Sequence, residues 1–195
     1  RLEAAKVLSK VTFTYGVDAV KDDAIATDSS YSRTVGFGPN PIISSSTRPS
    51  LPDADMRNLG IFLQGDWRLH DRFSVITGVR YHDVHAETRK TAGLPDSVAG
   101  LVANNRTTVY AVNGIYRVTD HFSALMTYGR GFRAPNLIER YFSGPSTDGT
   151  AIQIANPGLD AETSTNYDVG LRANFSRVDF EYFYFRNNLK DGILT

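Results

Sequence analysis

The sequence predicts an all-β protein, an antiparallel transmembrane β-barrel of which this chain is a partial segment of about seven to eight strands with long extracellular loops. Three observations carry that prediction. Apolar and polar residues alternate over stretches close to the ~9–11 residues that cross a bilayer at a tilt. The connections between those stretches alternate strictly between long and tight. The polar face of the stretches carries charges that lipid would not tolerate.

Ser9 to Val17 comes first, with Val11, Phe13, Tyr15 and Val17 on one face and Lys10, Thr12, Thr14, Gly16 and Asp18 on the other. Asp22 to Asn58 follows without sustained alternation and rich in Ser, Pro, Asp and Gly, which suits an extracellular loop better than a connection inside a compact soluble domain. Gly60 to Leu69 alternates again, with Ile61, Leu63, Trp67 and Leu69 opposite Phe62, Gln64, Asp66 and Arg68. His70-Asp71 forms a tight turn. From Arg72 the pattern resumes, with Phe73, Val75, Thr77, Val79 and Tyr81 opposite Arg72, Ser74, Ile76, Gly78, Arg80 and His82, so the two stretches read as a hairpin.

A second long connection runs from about Thr88 to Asn105, and Thr107 to Val118 then carries Tyr110, Val112, Tyr116 and Val118 on one face. Thr119-Asp120 turns the chain into His121 to Arg130, where Phe122, Ala124, Met126 and Tyr128 align. A long polar excursion separates this from Asn166 to Phe175, with Tyr167, Val169, Leu171, Ala173 and Phe175 on one face. A turn near Ser176 leads to Val178, Phe180, Tyr182 and Tyr184, and the final DGILT is expected to begin an eighth strand.

The charged residues Asp66, Arg68, Arg72, Arg80, Asp168, Arg172, Asp179 and Glu181 all fall opposite the aromatic and aliphatic rows. In a barrel this face lines the lumen and faces whatever fills it. Alternation alone fits the solvent side of a soluble sheet equally well. That second reading, a soluble β-sandwich binding module, requires the Trp67/Phe73/Val75 and Phe180/Tyr182/Tyr184 rows to be buried in a core. Loop asymmetry favours the barrel. Seven or eight strands cannot close a wide one, so residues 1–195 read as a single stretch of barrel wall.

Composition removes several function classes. A formal net charge of zero, with no basic run, gives no reason to expect nucleic acid. Without Cys there is neither a disulfide framework nor a thiolate metal site. No apolar run is long enough for a membrane helix, and RLEAAKVLSK is not a signal peptide, so an exported mature protein would not begin there. No nucleophile elbow, phosphate-binding loop or zinc motif occurs, and no catalytic residue, metal ligand or cofactor is assigned. His82 and His85 lie three apart, but a regular strand sends them to opposite faces.

Phe132-Arg133-Ala134-Pro135, Asn156-Pro157-Gly158-Leu159 and Asn166-Tyr167-Asp168-Val169-Gly170-Leu171, together with VTFTYGVDA, GIFLQGDWRLHDRFSVITGVRYHDV and YRVTDHFSALMTYGRGFRAP, resemble the barrel of TonB-dependent outer-membrane receptors. The resemblance implies a Gram-negative outer membrane, a plug domain and a closing strand outside these residues, and a TonB complex that acts through the plug. It implies a scarce small-molecule ligand, such as a ferric siderophore, haem or cobalamin, with an iron source foremost, and a wall surrounded by outer-membrane lipid. A passive barrel channel without a plug is the alternative within the same architecture. The first two boxes are similar to those of haem receptors, where a His between the boxes is a haem ligand. Between Asn136 and Ala155 this sequence has no His.

By the same resemblance, ligand binds in a vestibule of loops. Arg130, Phe132, Arg133, Arg140, Tyr141, Phe142 and Asn156 are its candidate ligand-binding residues, because Arg suits carboxylates and catecholate complexes and aromatic rings supply flat contact area. For Arg133 a second role is open, that of pinning the base of the loop.

Overall fold

In the computed structural model, which describes residues 1–35, 41–145 and 152–193, the chain forms one antiparallel meander flanked by small side elements. The strands are β1 (Leu2–Val7), β2 (Val11–Ala24), β3 (Thr27–Thr34), β4 (Ile42–Pro49), β5 (Ala54–His70), β6 (Phe73–Thr88), β7 (Val102–Arg117) and β8 (Phe122–Arg133). A short helix α1 (Leu137–Tyr141) and a two-residue bridge between β9 (Gly144–Pro145) and β10 (Ile152–Gln153) precede β11 (Glu162–Asn174) and β12 (Asp179–Lys190). Eight strands make the main sheet in the order β1-β2-β5-β6-β7-β8-β11-β12, with β1 and β12 at its open edges. All the tight turns fall at one end of the sheet and all the long connections at the other. The sheet is thus a stretch of barrel wall with the predicted loop asymmetry.

Three details differ from the sequence reading. The eighth strand is β1, whose residues pair with β2 from Leu2↔Val17 to Val7↔Thr12, and not the C-terminal DGILT. Asp191–Ile193 lie outside any strand, and residues 194–195 lie outside the described ones. LEAAKV shows no apolar alternation, because it is recruited by the backbone edge of β2 and not by burial of its own side chains. Second, β5 and β6 run for 17 and 16 residues, well past the ~9–11 that cross a bilayer. Third, the connection from Asp22 to Asn58 contains a hairpin. β3 and β4 pair from Thr27↔Pro49 to Thr34↔Ile42, joined by hydroxyl contacts Ser29–Thr47, Ser30–Ser46 and Ser32–Ser44 at 2.8–3.1 Å.

Directly paired residues share a face of a sheet, so the register alone sorts every side chain. One row reads Val11, Trp67, Val75, Gly114, Met126, Val169, Tyr184 across seven strands. The next reads Thr12, Asp66, Ile76, Asn113, Thr127, Asp168, Phe185. The first face carries no charge between Phe73 and Tyr81 of β6 or between Tyr110 and Tyr116 of β7. It is bounded by two aromatic belts. Near the tight turns lie the Phe13–Trp67, Phe73–Tyr116 and Phe122–Phe175 pairs, and further up Tyr110–Tyr128–Tyr167 lie 5.8 and 5.0 Å apart. The Trp67 indole lies over Gly65, where a Cβ would meet it at 2.7 Å, and donates to Thr77 Oγ1 at 2.9 Å. Its one polar atom is thereby satisfied on an otherwise apolar surface.

This is the outer, lipid-facing surface, and the soluble-sandwich alternative fails on it. Tyr182 and Tyr184, which that reading buries, are 60% and 62% exposed. The other, inner face receives all eight of Asp66, Arg68, Arg72, Arg80, Asp168, Arg172, Asp179 and Glu181. His82 and His85 separate as expected. His82 sits on the inner face, while His85 contacts Asn104 at 2.8 Å on the outer face beyond the upper belt.

The two faces make opposite demands on the same substitution. Val112→Arg, between the belts, is expected to destabilise the membrane-inserted protein by about 2–4 kcal/mol. Asn113→Arg, one residue on and facing inward, should cost little. Denaturant titration of the full-length protein folded into lipid vesicles measures both.

Candidate functional site

The site is built where β8 leaves its neighbour. Pairing between β7 and β8 stops at Ala111↔Gly129, whereas β8 and β11 stay paired up to Arg133↔Glu162. The freed end turns inward, and the Phe132 ring lies 5.6 Å from the His82 ring. Pro135 is fully buried, and Asn136 then starts α1. The Asn136 side chain accepts from the Glu139 backbone N–H at 2.8 Å and the Glu139 carboxylate accepts from the Asn136 N–H at 2.8 Å, a reciprocal cap. Arg133 donates to both oxygens of Glu139 at 2.8 and 3.1 Å and lies 3.7 Å from Glu162 on β11.

The helix packs onto the inner face at the long-connection end. Leu137 and Tyr141 rest on Ala54 and Ala86, with Ala24, Met56, Leu101 and Ala103 around them. Small side chains on neighbouring strands leave room for it. Arg140, 2% exposed, donates to the Pro157 carbonyl at 3.0 Å and to Asn105 Oδ1 on β7. One guanidinium therefore ties the helix to the Asn156-Pro157-Gly158-Leu159 turn and to the wall. Burial holds the Arg140 guanidinium below its usual range and pushes the Tyr141 phenol up, with the Arg140 charge opposing the latter shift. The Tyr141 hydroxyl has no hydrogen-bond partner among the described residues.

Beneath the loop the inner face carries a linked polar strip. Arg80 donates through Nη2 to Asp18 at 2.7 Å and through Nε to His82 Nε2 at 3.1 Å. The Arg80 and Arg1 guanidinium groups lie 5.8 and 5.3 Å from the Phe62 ring. A Cβ at Gly60 would overlap the Arg80 guanidinium and displace it from this position.

The candidate ligand residues fall into two groups. Arg133, Arg140 and Tyr141 turn to partners within the fold. Arg130 and Asn156 are exposed, with Arg130 on the side of the aromatic belts. Phe132 is half-buried over His82, and the Phe142 ring lies 2.8 Å from where a Gly144 Cβ would stand. Sequence reasoning missed Glu139, Asn136 and Asn105. The Asn-x-x-Glu spacing of a capping box was present to signal the first two. No local pattern marks Asn105, which lies 35 residues from Arg140.

Comparison with known proteins places this geometry. A family model described as "TonB dependent receptor-like, beta-barrel" matches residues 5–195. Heme/hemopexin utilization protein C of Haemophilus influenzae is 26% identical over 208 residues, covering 98% of this chain and 26% of its own length. Hemoglobin-haptoglobin utilization protein B of Neisseria meningitidis serogroup C is 26% identical over 130 residues, 64% of this chain and 16% of its own. The chain thus spans about a quarter of the first of these relatives. Among solved structures, the copper transporter OprC superposes with a TM-score of 0.76 at 17% identity, over 97% of this chain and 29% of that one. The FrpB iron transporter of Neisseria meningitidis (F5-1 variant) gives 0.65 at 15%, over 97% and 28%. At these identities the superpositions show the fold.

Arg140→Ala should release α1 from the wall. Losing charged hydrogen bonds from a buried group costs about 1.5–3 kcal/mol, so amide exchange of residues 137–142 should accelerate by roughly tenfold to a hundredfold. The aromatic-belted strands should exchange as before. Hydrogen-exchange mass spectrometry on the full-length protein checks both halves.

Proposed function

From the premise that this chain belongs to the TonB-dependent receptor-like β-barrel family, we propose that it forms part of the wall of a ligand-gated, TonB-energised receptor. That receptor lies in a Gram-negative outer membrane and imports a scarce iron-bearing ligand, a ferric siderophore or haem. Residues 1–195 form one stretch of the barrel domain, and the plug and the closing strand belong to other parts of the polypeptide.

The observation that carries the reading is the loop folded onto the inner face. A receptor must narrow its outer mouth around a ligand, and α1, held by Arg133–Glu139 and Arg140–Asn105, brings Phe132, Phe142 and Asn156 to that mouth. In this reading Arg133 and the buried Arg140 hold the loop's shape while the half-buried Phe132 and Phe142 and the exposed Asn156 meet the ligand. The barrel acts as a binding wall without a catalytic step. Ligand release falls to the plug, pulled through TonB.

Iron is favoured as cargo because curated relatives are named for haem and haemoglobin utilization. Their names support haem as the iron source. The absence of a His between Asn136 and Ala155 weighs for a siderophore, or for haem held by other side chains.

The abundance of the full-length protein in outer membranes should rise severalfold when cells are starved of iron. Purified receptor should then bind either haem, read from the Soret band, or a ferric siderophore, read from quenching of tryptophan fluorescence. Unchanged abundance under starvation removes the iron reading. Binding of neither probe turns attention to cobalamin or another metal complex.

A further inference from the structure

The freed end of β8 rests on a histidine. His82 faces inward from β6, directly opposite Gly60 of β5 and Thr107 of β7, with the Phe132 ring 5.6 Å away. Its Nε2 atom accepts from Arg80 Nε at 3.1 Å, and Arg80 is held in turn by Asp18 at 2.7 Å. An imidazole that accepts a hydrogen bond is uncharged, so its proton sits on Nδ1. That Nδ1 atom is buried and has no hydrogen-bond partner among the described residues. Asn58 Oδ1, on the same face two residues from Gly60, is likewise buried and unpartnered. Diagonal neighbours of this kind stand about 7–8 Å apart, too far to satisfy each other.

A proton on Nε2 undoes this arrangement. Imidazolium has two donors and no acceptor, so one N–H would meet the Arg80 N–H and the other would stay buried without an acceptor. The surrounding charges offer no compensation. Asp18 is committed to Arg80, and Arg1 adds a second guanidinium over the Phe62 ring. Gly60 and Thr107 on the two neighbouring strands carry no charge. On the loop, Arg133 is paired with Glu139 and Glu162, and Arg140 is bonded to Asn105, two residues along β7 from Thr107. Among the described residues no carboxylate lies within ion-pair distance of His82. The Phe132 face favours a cation, but a full like charge in hydrogen-bond contact outweighs a ring quadrupole 5.6 Å away.

We propose that the Phe132–His82–Arg80 contact is an acid-released latch on the loop. Neutral His82 holds the freed end of β8 against the wall, and its protonation breaks the Arg80 bond, expels the ring, lifts Phe132 and loosens α1. The latch is closed above the pKa of the histidine and is lost as pH falls through it. It is also weak enough to open, because water supplies partners to His82 Nδ1 and Asn58 Oδ1 once Phe132 lifts. Glu139 and Asn136 then keep α1 capped while its tether to the wall is reduced to the Arg140 bonds and the alanine seat. The latch operates whatever ligand is carried, so its failure leaves the receptor reading intact.

Hydrogen exchange of the full-length receptor at about pH 7.5 and about pH 5, on either side of the ordinary histidine value, tests the latch. The readout is the protection factor, in which the pH dependence of chemical exchange cancels. In wild type the amides of residues 132–142 should lose protection roughly tenfold at the lower pH, while those of β5 to β7 between the aromatic belts hold theirs. His85→Gln, on the outer face, should leave that response intact. His82→Gln still accepts from Arg80 but takes up no proton, so the loop should stay protected at both pH values. Glu139 and Glu162 belong to a class that protonates near pH ~4.3 and are retained in His82→Gln, so a response of theirs would survive it.

Equal wild-type protection at the two pH values overturns the proposal, and so does an acid loss of the same size in His82→Gln. Should His82→Gln leave the loop loose at both values, Asp18→Asn decides. An Asn there still accepts from Arg80, but the one carboxylate that favours a proton on His82 is gone. The midpoint of the loss should then move to lower pH, and an unmoved midpoint overturns the latch.

Discussion

A strand crossing lipid has nowhere to send its N–H and C=O groups except to its neighbours. In this chain that requirement is met by a continuous antiparallel ladder from β1 to β12. Once the ladder is fixed, each side chain is committed to one of two solvents. The belt of Trp67, Phe73, Tyr110, Tyr116, Tyr128 and Tyr167 on one side and the charges from Asp66 to Glu181 on the other are two outcomes of a single register. A slip by one residue would exchange them. The pairing is therefore fixed by the cost of placing Arg80 or Asp168 in hydrocarbon.

The same ladder decides where a loop can enter. β8 keeps β11 and releases β7 above Gly129, and that asymmetry directs the Phe132-Arg133-Ala134-Pro135 segment over the inner face and not outward. The helix that follows is too short to be stable on its own. It stands because three kinds of interaction converge on five residues: a reciprocal cap, an ion pair to the strand that launches it, and a buried guanidinium bonded to a distant strand. Two of the candidate ligand arginines act as structural fasteners, and the surface they hold in place belongs to their neighbours.

What could be read in advance was whatever repeats with period two. β2, β5 to β8, β11 and β12 declare themselves through Val11-Phe13-Tyr15, Phe73-Val75-Val79 and Tyr167-Val169-Leu171, because lipid selects every second residue. Past the upper belt that selection ends while backbone pairing continues, so the outer reaches of β2, β5 and β7 read as loop in the sequence. β3 and β4 were missed for a related reason: their pairing is lined with Ser and Thr hydroxyls, and no apolar face had to be hidden. In the site, Arg133's role at the loop base was one of two readable options, since Glu139 lies six residues on. Arg140 and Tyr141 were not readable, because Asn105, Ala54 and Ala86 come to them from strands remote in sequence.

The seat of α1 is made largely of methyl groups, those of Ala24, Ala54, Ala86 and Ala103. Such a seat acts as a shim. Its thickness sets how far the helix stands proud of the wall, and so the calibre of the opening beside it. Exchange of one alanine for valine or leucine would thicken the shim by an ångström or two and push Leu137 and Tyr141 toward the axis without touching a ligand-facing residue. The position of the helix can thus be retuned from behind, through side chains that lie between it and the wall.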